Sequence, residues 1–188
     1  MKDKTFAVPR GINAEEIKEF RGRFGLTQAE LAELLGCSRP TVERWERSTE
    51  PITGPVVLLL ELLRKHPEEV RQVTVPPQET NLRIWYMYRQ RPCTLIDADE
   101  IRHSVKIRNF TDNVMFRAFG ADEEPDYAAY EAFLESRCFP RERDKMKLVL
   151  ADVGVPYYDP LLIVEKTQGR MAEDEFWLKV EWKNDRAV

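Results

Sequence analysis

Arg39, Thr41 and Arg44 are the side chains whose types and spacing suit a definite chemistry. They share the polar side of a stretch whose apolar residues, Val42 and Trp45, lie three apart on the other side. A guanidinium holds its N–H donors in a planar fork, which pairs bidentately with a carboxylate, a phosphate or the edge of a guanine. Other candidates are weaker. The runs Asp122-Glu123-Glu124 and Glu173-Asp174-Glu175 supply paired carboxylates, but nothing places a base or nucleophile against them. Charge runs beside turns are usually solvated, so no catalytic residue is assigned and no enzyme is expected. Cys37, Cys93 and Cys138 form no CxxC pair, and His66 and His103 have no ligand spacing around them. No metal, cofactor or disulfide framework is expected, only reduced and partly buried thiols.

The elements that must position the arginines are legible on either side of them. Thr27 is an N-cap, and Glu30 three residues later completes a capping box. Leu31, Leu34 and Leu35 then recur at helical spacing, with Ala29 and Ala32 as small packing residues. Gly36 supplies the left-handed residue that ends this helix. Ser38 caps the next one, and Pro40 sits just inside it, where its missing N–H costs nothing. Upstream, residues 1–12 are expected as a loose arm. Asn13 then caps a helix through Phe24, with Ile17, Phe20 and Phe24 on one face and Gly25 as its stop. Downstream, Pro55 to Lys65 is apolar nearly all round, more than one buried stripe requires. The surplus fits the domain's own core or a dimer seam. Residues 67–71 add a helical turn.

Thr27 to Arg47 resembles the helix-turn-helix of the phage-repressor-like (Cro/Xre) family, in its TQAELA opening, its GCS turn and its TVERWER second helix. The resemblance implies that the second helix enters the DNA major groove, with Arg39, Thr41 and Arg44 towards base edges. It also implies that Gln28 reaches a phosphate. Ser38, at the head of the second helix, is grouped with these DNA-binding residues. Pro40 departs from the polar residue usual in the family. The implied partner is double-stranded operator DNA, bound by a homodimer.

A net charge of −4 looks wrong for a DNA binder. The excess is local, however. Residues 1–72 carry 12 Lys/Arg and 12 Asp/Glu, and residues 73–188 carry 17 and 21. A neutral first half can still present a basic face. The start, MKDKTFAVPRG, has no apolar core for a signal peptide, and the longest apolar run is too short to span a bilayer. A cytoplasmic protein with no membrane partner is expected.

Val73 to Thr80, with paired prolines, marks a linker, so the expected organisation is an all-α helix-turn-helix domain at 1–72, a linker at 73–80 and a second domain at 81–188. Strands are expected at Leu82–Arg89, Pro92–Ala98 and Ser104–Phe110. Helices follow from Asp126 to about Ser136, from about Arg141 to Val153 and from Pro160 through Thr167. A last alternating strand runs from Phe176 to Trp182. This is an α+β domain with antiparallel strands. Its order is similar to the small N-terminal subdomain of HipA-like toxin kinases, carried by Phe133-Leu134, Pro140, Arg143, Gly154, Asp159-Pro160 and Gly169. That resemblance implies a HipB-like and a HipS-like module in one chain, an antitoxin and autorepressor whose partner is a HipA-like kinase. Trp85 and Trp177, alternating outward, and Phe139 and Arg141, in the loop after Ser136, are the candidate partner-binding residues. The alternative is a one-component regulator whose second domain senses a small ligand.

Overall fold

The computed structural model describes residues 5–183, so the first residues of the expected arm, 1–4, lie outside the described residues. The chain divides into two compact units, one ending at Thr74 and the other beginning at Val75.

The first unit is helical: α1 (Ala14–Arg23), α2 (Gln28–Leu34), α3 (Arg39–Arg47), α4 (Pro55–Lys65) and α5 (Pro67–Val73). Its boundaries follow from local chemistry. Thr27 Oγ1 accepts the Glu30 N–H at 3.2 Å, and the Glu30 carboxylate accepts the Thr27 N–H at 2.6 Å. Those hydrogen bonds hold the Glu30 carboxyl below its ordinary value. Gly36 lies at φ 65°, which lets Cys37 N–H return to the Ala32 carbonyl at 2.9 Å. Ser38 occupies the N-cap of α3, but its side chain does not cap the backbone as expected. The reason is Pro40, which has no N–H, while Thr41 N–H is taken by the Ser38 carbonyl at 2.9 Å. The Ser38 hydroxyl pairs with the Thr41 hydroxyl instead, at 2.9 Å.

Ile17, Phe20, Leu31, Val42, Val57 and Leu60 form the core of this unit. Ile12 joins them, and exchanges two backbone hydrogen bonds of 2.9 Å with Ile52. The arm is therefore tied down at Ile12, inside the stretch expected to be loose. On α4 only Val57 and Leu60 are fully inside; Leu58 and Leu62 remain 44% and 48% exposed.

The second unit is α+β: β1 (Leu82–Tyr88), β2 (Arg91–Asp99), β3 (Ser104–Asn109), α6 (Tyr127–Ser136), α7 (Met146–Val153), α8 (Pro160–Thr167) and β4 (Phe176–Trp182). The strands form one antiparallel sheet in the order β3-β2-β1-β4. One face carries Leu82, Ile84, Tyr86, Ile96 and Leu178, which pack with Tyr130, Phe133, Leu150, Ile163 and Val164 of the helices. Asp126 and Asp159 cap α6 and α8, accepting the N–H groups of Ala129 and Leu162 at 2.8 and 3.0 Å.

Two boundaries differ from the expectation. The second helix begins at Met146 rather than near Arg141. Residues 141–145 are all charged and offer nothing to bury, and Lys145 is left-handed at φ 58°. The helix therefore starts at the first apolar residue. The expected linker is also structured at both ends, because α5 reaches Val73 and residues 76–79 lie against the sheet. Their anchor is Arg83, whose guanidinium donates twice to Asp97 at 2.7 Å and once to the Pro76 carbonyl at 3.0 Å. This pair is buried on the face away from the helices, where a charge needs a partner and cover.

A second buried guanidinium joins α6 to the approach of β4. Arg137 donates from Nε to the Gly169 carbonyl at 2.9 Å and to both Asp174 oxygens at 2.6 and 3.1 Å. It also donates to the Phe176 carbonyl, at 3.1 Å. Glycine is favoured at position 169. Its φ is 56°, and a Cβ would lie 2.9 Å from Leu178 Cδ1. Among the described residues no helix is long and apolar enough to cross a membrane.

Candidate nucleic-acid interface

The outer face of α3 is set by what its inner face holds. Val42 is fully buried, and Glu46, one turn later on the same face, is 6% exposed. Glu46 is the junction of the three helices. Arg21 of α1 donates to it at 2.7 and 3.4 Å, and Gln28 of α2 donates at 2.8 Å. Arg21 also donates to the Leu26 carbonyl at 3.1 Å, which fixes the turn between α1 and α2. Burial pushes the Glu46 carboxyl up, but hydrogen bonds from Arg21 and Gln28 outweigh it and hold the group below its ordinary value.

With that face anchored, Arg39, Pro40, Arg44 and Arg47 are exposed on the other side. Arg39 donates from Nε to Glu43 at 2.9 Å. Thr41 is half-buried and engaged with Ser38. Gln28 sits at the head of α2, with one amide hydrogen committed to Glu46. α3 therefore presents three guanidiniums within nine residues, on a helix whose orientation is fixed from two others. Glu43, Glu46 and Arg47 were not singled out from the sequence, nor was the pairing of Arg21 with Glu46. For Glu46 a signal existed: a carboxylate four residues after Val42 lies on the inward face.

Residues 17–70 match the helix-turn-helix family model. The antitoxin HigA-2 of Vibrio cholerae serotype O1 is 34% identical over 62 residues, which are 33% of this chain and 60% of that protein. A protein of Pyrococcus furiosus named for HTH-type transcriptional regulation is 36% identical over 56 residues, 30% of this chain and 18% of that protein. The chain thus spans three fifths or less of the curated relatives' lengths. The helix-turn-helix domain contains the whole Glu46 junction and the outer face of α3.

In the second unit the candidate partner-binding residues fall in two places. Trp85 and Trp177 stand on the sheet face away from the helices, both half-buried. Trp85 donates to Glu181 at 3.0 Å and stacks on Phe110; Trp177 donates to the Arg89 carbonyl at 2.6 Å. Phe139 is half-buried against the helical core, edge-on to Tyr158, and Arg141 lies over the Tyr158 ring at 4.7 Å. The two tryptophans and the two loop residues do not form one surface. A cavity of about 740 Å³ opens at the β1–β2 hairpin, lined by Tyr88, Arg89, Arg91, Phe110, Asn113 and Phe116. Cys93 and Cys138 are buried, and burial pushes the Cys138 thiol up to about 12, so it is inert as a nucleophile at neutral pH. Among the described residues no three His, Cys, Asp or Glu side chains converge as metal ligands would.

Proposed function

We propose that this chain is a sequence-specific DNA-binding repressor and the antitoxin of a toxin–antitoxin operon. The observation that carries the reading is the outer face of α3, which presents Arg39, Arg44 and Arg47 from a helix anchored through Glu46. Arg39 and Arg44 read base edges in the major groove, Thr41 and Ser38 sit at the head of the same helix, and Gln28 meets a phosphate through its remaining amide hydrogen. The named likeness to an antitoxin supports the second half of the proposal. The second unit then restrains a protein partner, a HipA-like kinase on the resemblance carried by its strands and capped helices.

Gel-shift titration against operator and scrambled duplexes tests the DNA reading. Arg39→Ala or Arg44→Ala is expected to lose roughly 1–3 kcal/mol of operator discrimination, since each removes a guanidinium fork. Unchanged discrimination in both variants would remove α3 as the reading face. Assembly follows from α4, whose Leu58, Leu59 and Leu62 are exposed together on one helix. The chain is expected to sediment as a homodimer, and Leu62→Glu to sediment as a monomer with weakened operator binding. A parent that is monomeric both free and on DNA would sink this part.

The hairpin cavity favours a second reading, in which a small ligand in the second unit alters operator affinity. Its volume is within the range of small-ligand sites, although the cleft is open to solvent and bordered by the exposed Arg89 and Arg91. Inhibition of a HipA-like kinase core by the chain supports the antitoxin. Failure to inhibit, with a metabolite-dependent change in operator affinity, supports the sensor.

A further inference from the structure

α3 breaks a local rule at its first residue. Arg39 places a cation at a helix N-terminus, where the backbone's partial positive charge disfavours it, and no acidic residue occupies the first turn. The bond that holds Arg39 comes from Glu43, one turn on: Nε to Oε1, 2.9 Å. Arg before Glu at this spacing is the weaker order for helix stability. The Arg39 side chain is 64% exposed and that of Glu43 28%, so the pair lies at the surface and adds only modestly to the fold. Positions that contradict local stability without a structural return are where functional constraint is expected. The geometry of the bond points the same way. It uses Nε alone, and among the described residues the two terminal nitrogens of Arg39 have no other partner. Those are the donors that a bidentate contact to guanine O6 and N7 requires.

We propose that Glu43 determines the specificity of this chain for DNA, by fixing the Arg39 fork and by placing a carboxylate in the major groove. The proposal rests on the DNA-binding reading above. Glu43 acts in two ways. It holds Arg39 by Nε, so the terminal nitrogens are aimed before DNA arrives. Its second oxygen can accept only from a donor, and the major-groove donors are the N4 amine of cytosine and the N6 amine of adenine. Facing guanine O6, thymine O4 or a phosphate, it repels. A site with guanine opposite Arg39 and a base amine opposite Glu43 satisfies both side chains. Other sites leave the carboxylate unpaired in the groove, and the penalty falls mainly on non-specific DNA.

The test uses the full chain and duplexes selected by the parent protein from a random pool. Affinities are measured for parent, Arg39→Ala, Glu43→Ala, Glu43→Gln and the double alanine variant. The duplexes are the selected site, the same site with the selected guanine changed to adenine, and scrambled DNA. Glu43→Ala is expected to bind scrambled DNA severalfold tighter, because a negative charge has left the interface. Its discrimination at the guanine is expected to fall well below the parent's, which for one bidentate contact is roughly 5- to 150-fold. Glu43→Gln, which keeps an acceptor for Arg39, is expected to lie between. The two alanine effects should be non-additive on the selected site and additive on scrambled DNA. If the parent discriminates and Glu43→Ala shifts all duplexes by one factor, Glu43 is a surface charge only and the proposal is overturned alone. A parent with no sequence preference removes the DNA reading and the proposal together.

Discussion

Arg137→Ala is expected to cost the second unit about 2–4 kcal/mol, reaching below the usual range for breaking a buried ion pair because Asp174 keeps 32% of its side chain in water and can re-solvate. The Arg137 side chain is only 8% exposed. Its removal strands the Asp174 carboxylate and the carbonyls of Gly169 and Phe176, which lie where the chain turns from α8 into β4. The Asp174 carboxyl is held below its ordinary value by the hydrogen bond from Arg137 first of all, so the variant should also raise it. Arg137→Lys is expected to recover less than half of the loss, because an ammonium cannot reproduce a fork that reaches three backbone and side-chain groups at once. Hydrogen exchange read by mass spectrometry follows each unit separately. Protection should fall across β4 and α6 and stay unchanged in α1–α3. Parent-like protection of β4 in Arg137→Ala would show that the junction is not what holds the strand in place.

The contrast between what was and was not legible in the sequence follows from how far apart the partners lie. Thr27 and Glu30, Asp159 and Pro160, and the alternation of Phe176 to Trp182 are local patterns, and they place their elements within a residue or two. The outward placement of Arg39 and Arg44 was equally legible, because Val42 and Trp45 mark the inward side of the same helix. Arg83 with Asp97, Arg137 with Asp174, and Arg21 with Glu46 are 14, 37 and 25 residues apart. No spacing rule joins them, and in the sequence each is one more charge in a highly charged chain. Only register or packing shows them as pairs. Phe139 was legible as a loop aromatic between arginines, but not as a ring turned towards Tyr158. The first turn of the second helix was misplaced for a related reason. The run Arg141 to Lys145 has acceptable helix formers but no apolar residue to bury, and packing decides helical stability more than propensity does.

Glu46→Ala is expected to cost the helix-turn-helix unit about 2–3 kcal/mol, at or below the low end for a buried pair. Arg21 keeps 29% of its side chain in water and can re-solvate once its partner is gone. The loss should be larger than that of Arg39→Ala, whose pair is exposed, and it should fall on all three helices because Glu46 accepts from both α1 and α2. On the DNA-binding reading proposed above, operator affinity should fall with it, since α3 loses the contacts that set its angle, although Glu46 itself faces away from the exposed Arg39 and Arg44. The same junction sets a pH dependence. The folded Glu46 carboxyl lies below its ordinary value of 4.5, so the unfolded chain binds the proton more tightly. Its contribution is therefore complete above about that value and is lost as pH falls through the lower, folded value. In the parent, exchange protection of α1–α3 should decline on acidification from pH 5 towards pH 3. In Glu46→Gln, which keeps an acceptor but has no proton to gain, this part of the decline should vanish. Identical acid profiles for parent and Glu46→Gln would mean that another carboxylate governs the acid stability of the domain.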